Sequence, residues 1–314
     1  MKLLLLALAA AATLVLPAFL DTEQLSIYVL AGLAAMVTVG LSLLMGHAGQ
    51  ISLGQASFYA IGAYTAGILT VNGVPPLLGL LAAPVLAAGF AAVVGIGVLR
   101  LRGHYLAFAT LAMQLILLSV LAQSDWAGGA IGLQGIPRMS VGGFELDEDS
   151  HYAYLTWAGL AIVLVVAYNL VKSRPGRGLR ALATSEVAAA ASGVPVGRYR
   201  LAVFALSAAF AGLAGGIYAF YLGYLGPGSF PVLLSVEYVV MAVVGGLGTL
   251  AGGVVGAVAI TLLVQVLNEL GTQPGMPSYA PSVLSYAVYG LLLVLVVLFL
   301  PRGIVPALRR RERS

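Results

Sequence analysis

Few residues in this chain have the types and spacing that chemistry needs. The three histidines, His47, His104 and His151, are scattered, and none stands in H-E-x-x-H or another paired-ligand spacing, so no metal site is expected. The absence of cysteine excludes disulfides and thiolate ligands. There is no G-x-S-x-G elbow for a serine nucleophile, and no carboxylate pair sits within an apolar run to relay protons. Lys2 and Lys172 are the two lysines, and neither ends a G-x-x-x-x-G-K-[ST] loop, so ATP hydrolysis by that route must belong to another polypeptide and no cofactor is expected on this one. What remains is a small polar set stranded in apolar sequence: Gln50, Ser52 and Gln55 in one stretch, Gln114 alone, and Glu237 with the break Gly246 to Thr249 in another. Such groups suit passage of a solute better than its transformation, and the chain is not expected to be an enzyme.

The elements that position these residues are membrane spans. Hydrophobic residues make up 61% of the 314 and charged residues only 8%, against the roughly one-quarter charged that is usual for soluble domains. Forty glycines suit close helix contacts, because lipid supplies no hydrophobic drive between helices and small residues let backbones approach. Apolar runs of about 20 residues fall at 3–20, 25–45, 51–71, 77–99, 104–122, 152–171, 201–222, 234–247, 250–269 and 284–300. The expected fold is all-α: one polytopic integral membrane domain over residues 1–314, with about 8–10 transmembrane helices, some broken or re-entrant.

Charge orients them. With the N-terminus inside, Lys2, Arg100, Arg102, the basic residues between 172 and 200, Arg302, Arg309, Arg310, Arg311 and Arg313 all fall inside, and only Arg138 falls outside. A bacterial-type inner membrane with both termini cytoplasmic is the expected location. The basic balance is explained by topology, so no nucleic acid partner is expected. The stretch MKLLLLALAAAATLVLPAFL also fits a signal peptide; an uncleaved first helix keeps the charge count consistent.

Two places break the pattern. After Met45, the run Gly46-His47-Ala48-Gly49-Gln50 is poor lipid-facing helix, yet an apolar helix resumes at once. Ser52 and Gln55 have the S-x-x-Q spacing of a capping box, which predicts a helix starting beside Ser52. Broken backbone at membrane depth is tolerated where it is buried in protein or lines a watery cavity, so Gln50, Ser52 and Gln55 are translocation-path candidates; an ordinary cytoplasmic turn is the equal alternative. The second place, Gly246-Leu-Gly-Thr-Leu-Ala251, faintly echoes Gly49-Gln-Ile-Ser-Leu-Gly54 and adds Gly246 and Thr249 as candidates. Glu237, in a span of only about 14 residues, reads as a path carboxylate or, near the predicted outer edge, as a solvated interfacial one. Gln114, in mid-span, reads as a helix–helix hydrogen-bonding residue. Residues 123–150 form the longest outer segment and finish in Glu145-Leu-Asp-Glu-Asp149, a solvated acidic loop.

The remaining polar stretch, 172–200, holds Lys172, Arg174, Arg177, Arg180, Arg198 and Arg200 against one acid, Glu186. A helix from Leu179 to Ser192 is predicted, with a left-handed cap at Gly193 and Pro195 beyond it. It is too short and too polar to span. Leu179, Leu182, Glu186, Ala189 and Gly193 recur at three- and four-residue spacing, which makes one face that either seats in a groove of a partner or lies against anionic lipid.

Residues carry a resemblance as well. The run Glu186-Val-Ala188-Ala189-Ala-Ala-Ser-Gly193 resembles the coupling loop of ABC importer permeases, whose pattern is Glu-Ala-Ala, three residues, then Gly. With GHAGQISLGQASFYAIGAYTAGIL (46–69) and 176–221, nearly the whole chain resembles the permeases of branched-chain amino-acid importers of the LivM type. One residue separates Glu186 from Ala188-Ala189, and Gln55 stands where many relatives carry His. The resemblance implies a permease that pairs with a second homologous permease, two cytoplasmic ATP-binding subunits holding the ATP, and an external solute-binding protein. It implies an ATPase-coupling role for Arg180, Glu186, Ala188, Ala189 and Gly193. Urea or short amides are alternative solutes, and an ion-coupled secondary transporter or a structural scaffold are rival classes.

Overall fold

The computed structural model describes residues 16–101, 103–141 and 144–271, with 287–288, 290–291 and 303–306. Ten α-helices follow one another among these residues: α1 (Thr22–Ala48), α2 (Gln55–Val71), α3 (Pro76–Val98), α4 (His104–Gln123), α5 (Asp149–Lys172), α6 (Arg174–Thr184), α7 (Glu186–Ala191), α8 (Val196–Leu222), α9 (Val232–Gly245) and α10 (Leu250–Gly271). Between α4 and α5 lies a hairpin of two-residue strands, β1 (Ser140–Val141) and β2 (Phe144–Glu145), with Ser140 opposite Glu145. By length and composition, seven segments can cross a membrane: α1, α3, α4, α5, α8, α10 and Pro227–Gly245, which joins a 3-10 turn to α9. The helix boundaries agree with the expected spans to within five residues; the largest differences are at 201–222, which begins at Val196, and 51–71, which begins at Gln55 and has 17 residues. The expected spans 3–20 and 284–300 lie almost wholly outside the described residues, as do the signal-peptide reading and the terminal basic residues.

Helices α1 and α8 form the centre. Helix α8 packs on α3, α2 and α1, while α1 also meets α10, α5 and α9. Small residues make these contacts close. A Cβ on Gly62 of α2 would overlap the backbone of Gly212 of α8, and one on Gly215 would overlap the carbonyl of Tyr59. With no apolar drive between helices in lipid, such dispersion contacts hold the bundle together. Large apolar side chains point outward from the peripheral helices instead, among them Val85, Val93 and Ile96 of α3 and Ile162 and Val165 of α5.

The outer segment folds onto the bundle. Leu133 pairs with Leu225 as an isolated bridge, and the Tyr152 hydroxyl accepts from Met139 N–H (3.2 Å) and donates to Phe220 O (3.0 Å). Its acidic end stays at the surface, with Glu145, Asp147 and Glu148 exposed.

Candidate functional site

The site is built where two part-length helices meet at mid-depth. Helix α1 passes the level of Ser207, where Gly40 lies against it, and runs on to Ala48, eight residues or about 12 Å further. There Gly49, at φ 64°, ends it in the left-handed conformation. The chain then climbs back without helical structure, and α2 starts at Gln55, whose Nε2 donates to Ser207 Oγ (3.1 Å). Ser207 lies eleven residues, about 16 Å, from the start of α8. Residues 49–54 are therefore non-helical backbone that returns into the bundle, with Gln50, Ser52 and Gly54 buried and Gly49 and Ile51 exposed.

The helix start is made differently from the capping box expected of Ser52 and Gln55. Gly54 stands at the cap position without a side-chain bond. Ser52 Oγ accepts only from the Gly54 amide (3.4 Å), and Gln55 has turned to Ser207. Other helices satisfy the orphan amides instead: Leu53 N–H donates to Thr110 Oγ1 (2.9 Å) and Ala56 N–H to Ser235 Oγ (2.9 Å). The Ser235 hydroxyl donates in turn to Gln114 Oε1 (2.6 Å), and Gln114 Nε2 donates to Pro231 O (3.2 Å). Gln114 is thus the interhelical bonding residue expected of it. Because Gln114 lies ten residues into α4, about 15 Å, α9 also begins at mid-depth, approached from the opposite side by the Gly226–Pro231 loop. At 17 and 14 residues, α2 and α9 extend about 25 and 21 Å, both short of the roughly 30 Å hydrocarbon core.

Around the break, several buried polar atoms have no hydrogen-bond partner among the described residues: both amide atoms of Gln50, Gln55 Oε1 and His47 Nδ1. Gln50 is 3% exposed and Gln55 0%. Each orphan costs about 1–3 kcal/mol, and such costs concentrate where a site is kept for something other than stability.

The second break closes on the first. Gly248 (φ 75°) lies so near Gly46 that a Cβ on Gly46 would overlap it, and Gly248 N–H donates to Ser42 Oγ (3.1 Å). Thr249 Oγ1 accepts from Gly252 N–H (3.2 Å), which makes it the cap of α10, and Gly246 is buried. The two echoing segments thus share one end of the bundle. Glu237 stands apart from them: it lines a cavity of about 260 Å³ on the other side of the junction, together with Tyr59 and Tyr238. Ile27, near the start of α1, and Tyr218, near the end of α8, line the same cavity.

The polar stretch 172–200 forms two helices where one was expected. The backbone at Ser185 is extended (φ −158°, ψ 117°), and its Oγ accepts from Ala188 N–H (3.3 Å), so α6 ends and α7 starts afresh. Gly193 adopts φ 79°. Its N–H donates to Ala190 O (3.0 Å) and that of Val194 to Ala189 O (3.0 Å), the paired C-terminal bonds that glycine permits. The face expected to meet a partner is inverted: Leu179, Leu182 and Ala189 are buried against this chain, because the apolar stripe covers the end of α1 and the start of α8. Outward-facing are Arg180, Val187 (80% exposed), Ala188 and Gly193. Glu186 accepts two bonds from Arg200 Nη1 and Nη2 (3.1 and 3.0 Å), a fork that braces α7 on α8. Arg180 donates to Val171 O (2.8 Å) in the last turn of α5. Gly49 sits beside Ala183, so α6 abuts the break itself.

Ser207, Ser235, Thr110 and Arg200 complete these arrangements and were not singled out from the sequence as site residues. Hydroxyls inside otherwise apolar spans were the available signal; their partners lie 57 to 179 residues away.

Comparison with known proteins agrees with this architecture. The family described as "Branched-chain amino acid transport system / permease component" matches residues 24–297. The high-affinity branched-chain amino acid transport system permease protein LivM of Escherichia coli K12 is 31% identical over 313 residues, covering 90% of this chain and 68% of that protein, and LivM of Salmonella typhimurium LT2 matches equally. The ribose import permease protein RbsC of Escherichia coli K12 is 30% identical over 246 residues, 76% of this chain and 75% of its own. No solved structure gives a significant match. This multi-pass helical chain, matched along almost its whole length, belongs to the branched-chain amino acid transport system permease family.

Proposed function

We propose that this chain is the permease subunit of an ABC importer for branched-chain amino acids. It forms the translocation path with a second, homologous permease, takes the solute from an external binding protein, and is driven by two cytoplasmic ATP-binding subunits that hold the ATP. The solute class follows the LivM relatives. The observation that carries the energy-coupling part is the braced pair α6–α7: it presents Val187 and Ala188 to solvent while its buried face rests on the inner end of α1, against Gly49. A push on that pair reaches the 49–54 break within one contact. Arg180, Glu186, Ala188, Ala189 and Gly193 act here as coupling residues, two of them by bracing: Glu186 through Arg200, and Ala189 through the core.

The path residues follow from the junction. Gln50, Ser52 and Gln55 line it on the cytoplasmic side, Gly246 and Thr249 shape the closure against Gly46, and Glu237 lines the external side. The coupling pair marks the cytoplasmic face, as the distribution of basic residues also requires, and both termini then lie in the cytoplasm of a bacterial-type inner membrane. The reading is tested by purifying the chain from its native membrane and reconstituting what accompanies it. A stoichiometric ATPase, with ATP-dependent leucine, isoleucine or valine uptake when the binding protein is added, supports it. Uptake by this chain alone on an ion gradient, or ATP-dependent uptake of ribose or urea only, refutes it.

A further inference from the structure

The inner end of α5 carries a charged corner that the transport reading leaves unused. Tyr154, Ile162, Val165 and Val166 make an exposed stripe along one face of α5, a helix long and apolar enough to cross a membrane. The stripe ends at Tyr168 and Lys172, both exposed, with Lys172 Nζ 4.6 Å from the centroid of the Tyr168 ring. An aromatic ring closing an apolar run, with a lysine over its face, suits a membrane–water boundary.

Beyond it the chain turns at Ser173 into α6. Arg174 and Arg177 stand exposed there, on the side of α6 away from its buried Leu179 and Leu182. Arg180 reaches back to Val171 O (2.8 Å), which holds the second turn of α6 against the end of α5 and keeps the cations together. The one acid of 172–200, Glu186, accepts two bonds from Arg200, so the corner keeps an excess of positive charge. The surface assigned above to the ATP-binding subunits, Val187 and Ala188, lies on α7 beyond the extended backbone at Ser185.

We propose that Lys172, Arg174 and Arg177 bind the phosphodiester headgroup of an anionic phospholipid whose acyl chains lie along the α5 stripe. The charge selects an anion, because basic residues at a membrane surface each add to its attraction. The apolar stripe continuous with them selects a lipid over a free phosphate, because acyl chain laid on it leaves water. A headgroup held there also steadies the first turn of α6, the helix whose Ala183 sits beside Gly49.

The test is lipid retention by the purified full-length chain in neutral detergent, read by native mass spectrometry with added phosphatidylglycerol or phosphatidylcholine. Wild type is expected to hold phosphatidylglycerol about tenfold more tightly, and Lys172→Gln combined with Arg174→Gln and Arg177→Gln is expected to abolish that preference. Arg100→Gln, which removes an exposed cation from the α3–α4 turn, is expected to keep it. Equal retention of the two lipids by wild type, or an equal loss in Arg100→Gln, overturns the proposal. So does a loss of less than about threefold in the triple variant; if that variant instead fails to copurify with an ATPase, the corner belongs to that partner. Inorganic phosphate that displaces phosphatidylglycerol at equal concentration reduces the corner to an anion site and overturns the lipid assignment. Where the triple variant is not monodisperse, Arg174→Gln with Arg177→Gln is read by the same threefold limit. None of these outcomes depends on the solute carried, so failure here leaves the transport reading standing.

Discussion

Replacing Ser235 with alanine removes the hydroxyl that joins the two part-length helices. That hydroxyl accepts from Ala56 N–H at 2.9 Å and donates to Gln114 Oε1 at 2.6 Å, and the residue is fully buried. Alanine leaves both partners orphaned. The Ala56 amide belongs to the first turn of α2, where no intrahelical carbonyl exists for it, and the bilayer offers no water in exchange. Two orphaned groups at about 1–3 kcal/mol each set an upper range of about 2–6 kcal/mol. Interhelical side-chain bonds in membranes average only about 0.6 kcal/mol, because flexible groups find other partners. Gln114 can rearrange and the backbone amide cannot, so the expected loss is about 2–3 kcal/mol. Ser207→Ala is the internal control: it orphans only Gln55 Nε2, on a side chain free to turn, and is expected to cost about 0.6 kcal/mol. Reversible unfolding in bicelles measures both. A Ser235→Ala loss below about 0.5 kcal/mol, or one smaller than that of Ser207→Ala, refutes the account of how α2 is capped.

Three other outcomes follow from the same geometry. Glu186→Arg sets two cations where the fork was and is expected to lower transport per ATP hydrolysed about tenfold, and the exchange Glu186→Arg with Arg200→Glu recovers most of it; flux and hydrolysis measured in the same vesicles decide. Gly193→Leu forces a branched side chain to φ 79°, costing roughly 1–2 kcal/mol locally, and shows the same uncoupling in a protein whose extraction from the membrane is unchanged. Gly215→Leu drives a side chain into the Tyr59 carbonyl, so α2 cannot seat on α8; loss of a monodisperse peak after detergent extraction checks it, and a wild-type elution profile counts against the packing described.

The spans were legible in the sequence because a bilayer imposes a length and forces each backbone group to pair within its own helix, so a run of apolar residues carries its own boundary. Helix α10, expected at 250–269, is found at Leu250–Gly271 for that reason. Local caps were legible where one residue decides them, as at Gly193, whose positive φ only glycine holds easily. The Ser52–Gln55 box failed because another helix outcompeted it: Ser235 serves the α2 amide from 179 residues away, and no local spacing encodes that. The docking face of α6–α7 was misread for a related reason. Period alone finds the stripe through Leu179, Leu182 and Ala189 but not what covers it, and in the folded chain the bundle does. Membrane class, the positions of the spans that fall among the described residues and the two broken stretches were thus legible in composition and periodicity. The level at which α2 and α9 begin, the position of Glu237 beside α1 and α10 and the side of α6–α7 left open were decided by contacts between distant segments, which have no period to read.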